Sequence, residues 1–108
     1  MNDLMDLDQR LGHLQADSDR LATCAEVGDL TAAVAACPGW TMRELVGHVG
    51  FVHRWATVCL RTAAPPDRDA VAGADPEASP SELGAWLRSG SQELIDTLRA
   101  TPPDADTW

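Results

Sequence analysis

The chain contains no lysine, so all eight of its basic residues are arginine, and they face 17 Asp and Glu residues for a formal net charge of -9. Cation scarcity on this scale excludes function classes that draw their affinity from clustered positive charge, so no nucleic-acid or anionic-membrane partner is expected. Long apolar runs are missing as well, and none approaches the roughly 20 residues that a membrane-spanning helix requires. The opening Met1-Asn2-Asp3-Leu4-Met5-Asp6 is acidic and lacks both the positive and the apolar region of a secretory signal, so a cytoplasmic location is expected. The missing lysine, with frequent Ala, Asp and Pro, fits a high-GC genome. Cysteine is sparse: Cys24, Cys37 and Cys59 are odd in number, widely spaced and without a Cys-x-x-Cys pair, which excludes a disulfide framework or a zinc finger. They are expected as reduced, small, buried side chains whose apolar context raises the thiol pKa and leaves them inert.

Period-two alternation, internal repeats and low-complexity tracts are also absent, which leaves an all-α class. A chain of 108 residues fits one domain, and at this size folding buries roughly 60–70% of the unfolded surface. Leu4, Leu7, Leu11, Leu14, Ser18, Leu21 and Ala25 recur at alternating steps of three and four, one face of an amphipathic helix. His13 falls on the solvated side, and Gly28 is expected to end this helix. Leu30 to Cys37 reads equally as a helical turn or an extended crossover, closed by Pro38-Gly39.

A second helix is expected over residues 39 to 59, opened by a capping box of Thr41 and Glu44. Its inward stripe is read as Leu45, His48, Val49, Val52, Trp55, Ala56 and Cys59. Further apolar residues on its other sides make it the central helix of the domain. Residues 64 to 78 carry Pro65, Pro66, Gly73 and Pro76 and read as an exposed connection. Ser79 and Glu82 form another capping box, with Pro80 at the favoured first position of a third helix. That helix turns Leu83, Trp86, Leu87, Leu94, Ile95 and Leu98 inward and stops at Pro102-Pro103. Trp108, a large aromatic at the last position, suggests a further packed element beyond it.

His48 is the first candidate for chemistry. On a core-facing stripe its imidazole needs a partner, and two readings stand: a core histidine bonded to a carbonyl or carboxylate, or a metal ligand or acid/base group. His53 lies about 140° further around the helix and reads as a surface residue or a support rather than a ligand. Arg54 beside it is a possible carboxylate binder, although an isolated arginine is usually solvated. Trp40 either covers the active-site end or staples the incoming chain onto the first turn.

The run Cys37-Pro38-Gly39-Trp40-Thr41-Met42-Arg43-Glu44-Leu45-Val46-Gly47-His48-Val49, followed by Val52-His53-Arg54-Trp55-Ala56, resembles the signature of the mycothiol-dependent maleylpyruvate isomerase family, within the DinB-like superfamily. The resemblance implies a DinB-like up-down helical bundle holding one divalent metal, usually zinc, with His48 as a ligand and mycothiol as cofactor. It implies a small-molecule thiol and an organic-acid or electrophilic substrate as partners, and thiol-dependent isomerase or transferase chemistry. In the family, the remaining protein ligands come from a Glu-x-x-x-His motif on a last helix. Residues 1–108 therefore read as a partial N-terminal metal-binding domain, three long helices of an expected four, inactive by itself. The alternative reading is a non-catalytic helical module that self-associates, or binds a protein partner, through an uncovered helical face.

Overall fold

The computed structural model describes residues 3–35 and 38–101 of the chain. Within them are three long helices, α1 (Asp3–Val27), α2 (Met42–Thr62) and α3 (Pro80–Ala100), with one 3-10 turn at Arg68–Ala70. The class is all-α, as the missing alternation predicts. The side chain of Leu4, and Cys37, the Pro102-Pro103 stop and Trp108, lie outside the described residues.

Each helix begins and ends where local chemistry dictates. In α2 the Thr41 hydroxyl accepts from the Glu44 amide at 3.3 Å while Glu44 Oε1 accepts from the Thr41 amide at 3.0 Å, the reciprocal bonding of a capping box. Ser79 and Glu82 repeat this at α3, at 3.1 and 2.9 Å, with Pro80 at the first helical position. The observed α2 runs over 42–62 rather than 39–59. Gly39 sits in a turn at φ +86° and Thr41 is extended, so the helix cannot start earlier, and it continues until Ala63 turns left-handed at φ 57°. Gly28 follows the last residue of α1, and there a Cβ would stand 2.6 Å from the Cys24 carbonyl oxygen, so only glycine fits. Of the ambiguous stretch after Leu30, residues 30–32 turn and Ala33 then pairs antiparallel with Thr41, with the Val34 and Met42 amides bonded to the Trp40 and Ala32 carbonyls at 2.9 Å.

The central helix is α3, not α2. Both α1 and α2 pack along α3 and meet each other only sparsely. Leu83, Leu87 and Ile95 are fully buried on α3, each contributing about 1.5–3 kcal/mol of apolar burial. Leu83 and Leu87 meet Ala22 and Ala25 of α1, Val46 of α2, and Leu30 and Ala78 from the connections in the main core cluster. Arg88 ties α3 to α1 by bonds to Asp19, Thr23 and Glu26 at 2.9–3.4 Å.

These contacts also set the helix directions. Residues 19 to 26 of α1 meet 84 to 88 of α3 in reverse order, so the two are antiparallel. Gly50 touches Trp86, Arg54 reaches Trp86 and Gly90, and Arg61 pairs with Glu93, so α2 and α3 run the same way. The up-down sense thus holds for α1 against both neighbours, while parallel α2 and α3 require a crossover. The connection over 63–79 supplies it, since about 3.3 Å per residue readily spans a 21-residue helix of about 30 Å. It is largely exposed, as its composition predicts, but Val71 and Ala78 anchor it in the interior.

Candidate functional site

The stripe that α2 turns inward differs from the one its large apolar residues suggest. Val46, Gly50, His53, Thr57 and Cys59 are buried, whereas His48 is exposed and Val52 is 43% exposed. The expectation that His48 faces the core is therefore corrected, and so is the placement of His53 at the surface. The physical reason is bulk on the partner: the Trp86 ring of α3 occupies the space beside Gly50, where a Cβ would come within 2.1 Å of it. α2 can approach only through its small residues. Its rotation about its own axis follows from that contact, and it carries His48 outward.

His48 is nevertheless not isolated. The Trp40 ring, half-buried ahead of the helix, meets the imidazole edge-on, with centroids 5.1 Å apart and planes at 71°. The extended Ala33/Thr41 pairing holds Trp40 in place for this contact. Glu44, one helical turn before His48, projects from the same side, but its Oε1 is occupied by the Thr41 amide and hydroxyl at 3.0 and 3.1 Å. Among the described residues no group of three or more His, Cys, Asp and Glu side chains comes together. A catalytic zinc site normally uses three protein ligands; the described residues offer one imidazole and a carboxylate committed to a cap. They do not by themselves fit the metal that the resemblance implies.

The buried polar groups of α2 lie elsewhere. His53 is 8% exposed, and its Nδ1 has no hydrogen-bond partner among the described residues. Burial, reinforced by the Arg54 charge, lowers its pKa and so disfavours the protonated ring. Arg54 is not solvated as an isolated arginine would be. Its guanidinium carbon lies 4.3 Å over the Trp86 ring, and Nη2 donates to the Trp86 carbonyl at 3.0 Å. Nη1 is buried without a partner among the described residues and rests over Gly90. Burial lowers the pKa of this guanidinium, and the Glu93 charge opposes that shift. Of the cysteines, Cys59 is buried with its thiol pKa raised by desolvation, as expected, while Cys24 is exposed rather than buried because it lies on the outer side of α1. His13 is exposed, as its position predicts.

Residues 11–108 match the family of mycothiol maleylpyruvate isomerase N-terminal domains, a stretch that includes the Trp40-to-His48 segment and all of α2 and α3. The chain belongs to that family. Its all-α fold is the one expected within the DinB-like superfamily. No curated protein and no solved structure gives a significant match to the chain. No helix among the described residues of this family member is long and apolar enough to cross a membrane.

Proposed function

We propose that the chain serves as the metal-bearing N-terminal domain of a mycothiol-dependent isomerase or transferase, with His48 supplying one ligand to a divalent ion such as zinc. The observation that carries this reading is the exposure of His48 within the family-matching segment: the imidazole is open to solvent and flanked by Trp40. A ring buried in the bundle would be closed to an ion, and this one is not.

The described residues supply too few donors for a complete site, so His48 acts together with ligands from outside them. In the family, the metal and the thiol cofactor provide a nucleophile for an organic-acid or electrophilic substrate. This chain's own contribution is an accessible nitrogen donor, with Trp40 fixing one side of the ring. The setting is cytoplasmic in this reading. Calorimetric zinc titration tests it: His48→Ala should abolish the binding heat and His13→Ala should leave it. Equal binding by both variants would overturn the proposal. The alternative, a non-catalytic module that self-associates through the exposed outer side of α2 near Val52, requires a dimer in sedimentation velocity that Val52→Asp disperses.

A further inference from the structure

We propose that the second half of α2, residues 51–62, opens from α3 as a unit of its own when His53 takes up a proton, while the first half, which carries His48, stays docked. The two halves are held by different means. In the first, Val46 belongs to the main core cluster, with Met42 and Val49 packed against it. There the Arg43 guanidinium also donates to the Ala78 carbonyl at 2.7 Å, and the Arg43 amide to the Leu30 carbonyl at 3.0 Å. No residue of α2 beyond Val49 joins that cluster. The second half buries His53, Thr57 and Cys59 instead, and the Thr57 hydroxyl is used within the helix, on the His53 carbonyl at 2.9 Å. Two arginines tie this half to α3: Arg54, through Trp86, and Arg61, whose 2.8 Å pair with Glu93 has side chains 56% and 45% exposed. An ion pair that open contributes little. Gly47 and Gly50 mark the boundary, because two glycines within one turn weaken the continuity of a helix.

His53 supplies the trigger. Its ring is buried between the helices and its Nδ1 has no hydrogen-bond partner among the described residues, so a proton there would place a charge in the interior without a counter-ion. The charge that acts on the ring is that of Arg54, which has the same sign. The carboxylates that α1 and α3 carry along this stretch of the bundle are engaged by other cations: Asp19 and Glu26 by Arg88, and Glu93 by Arg61. Protonation therefore favours any state in which the ring meets water. Opening residues 51–62 provides one and leaves the α1–α3 core, with its Arg88 bonds, intact. A detached stretch of so few residues is marginal as an isolated helix in water, so opening also unwinds it.

Native-state hydrogen exchange of the isotopically labelled chain, followed by NMR at pH 7.5 and 5.5 and scaled to intrinsic amide rates, tests this. The amides of residues 54–62 are expected to be at least about tenfold less protected than those of Val49 and Leu87, and insensitive to low urea, the sign of a local opening. Acidification should cut their protection by up to about tenfold, the factor by which an exposed imidazole of ordinary pKa 6.5 gathers protons over that interval. His53→Gln, which keeps a polar side chain but cannot titrate, should lose the acid dependence and retain the difference between the halves. Equal protection of Val49 and residues 54–62 in the parent chain would overturn the proposal, because α2 would then open as one unit. Protection in the parent that acid leaves unchanged would overturn it too, as would an acid dependence that survives in His53→Gln. Neither readout involves a metal, so the result stands apart from the His48 reading.

Discussion

Replacing Gly50 by alanine tests the packing that sets the orientation of α2. Two effects compete. In a helix interior, alanine is favoured over glycine by about 1 kcal/mol. Against this, the new methyl would lie 2.1, 2.5 and 2.9 Å from three atoms of the Trp86 ring, which is held between α2 and α3 with Arg54 against it. Carbon contacts are comfortable only near 3.5–4.0 Å, so the ring must retreat by about 1.5 Å. Overpacking of this kind costs about 1–3 kcal/mol, and loosening the Arg54 stack costs about 1 kcal/mol more. The clash wins, for a net destabilisation of about 1–3 kcal/mol. For a domain of this size that lowers the melting temperature by about 5–15 °C. Gly12→Ala is the control, because it sits in α1 with nothing within 4 Å of the added methyl; it should gain about 1 kcal/mol. Circular dichroism melts, with urea unfolding followed by tryptophan fluorescence, measure both. A Gly50→Ala protein as stable as the parent, or stabilised like Gly12→Ala, would refute the close α2–α3 approach and with it the outward placement of His48.

Further outcomes follow from the caps and the buried histidine. Thr41→Ala and Ser79→Ala should each cost about 1 kcal/mol, read as a shift in urea midpoint without a change in slope. His53 has a folded pKa below its ordinary 6.5, so below pH 6.5 the unfolded chain takes up a proton that the folded chain resists. Stability should be level above that pH and decline below it until the folded pKa is passed. The carboxylates that lose stability on acidification, Glu26, Asp29 and Glu82, have ordinary values of 4.5, 3.8 and 4.5 and are lowered further by their hydrogen bonds, so their contribution falls in a separate, more acidic window. His53→Leu should remove the decline between pH 6.5 and 5 in a urea-midpoint profile. A decline that persists would show another group to be responsible.

The sequence carries the helix count, both capping boxes and the inward leucines of α3, because each depends on residues a few positions apart. The rotation of α2 is different: it is decided by the Trp86 ring of another helix. Large apolar residues at Leu45, Val49 and Val52 point to one phase, and the small residues Gly50 and Thr57 mark the true interface. Gly50, with Gly90 on α3, was the available signal, since glycine inside a helix carries an energetic cost that close packing offsets. The same shift explains Arg54. Taken alone on the helix it reads as solvated, whereas the burial of its guanidinium depends on Trp86 and Gly90, more than 30 residues away. The parallel course of α2 and α3 was equally hidden, although the long Pro- and Ala-rich connection was plain. The Trp40-to-His48 segment, by contrast, was legible as a family signature even while its side-chain orientation was not.

The central claim, that His48 is the residue through which this domain meets a divalent ion, is tested most directly by following the ring nitrogens of His13, His48 and His53 by NMR during zinc titration, which detects even weak binding. Zinc should move the His48 ring signals in a saturable way, leaving His53 in its buried position and His13 on the surface of α1 unchanged. Shifts spread equally over His13 and His48, or a His48 ring indifferent to the metal, would contradict it.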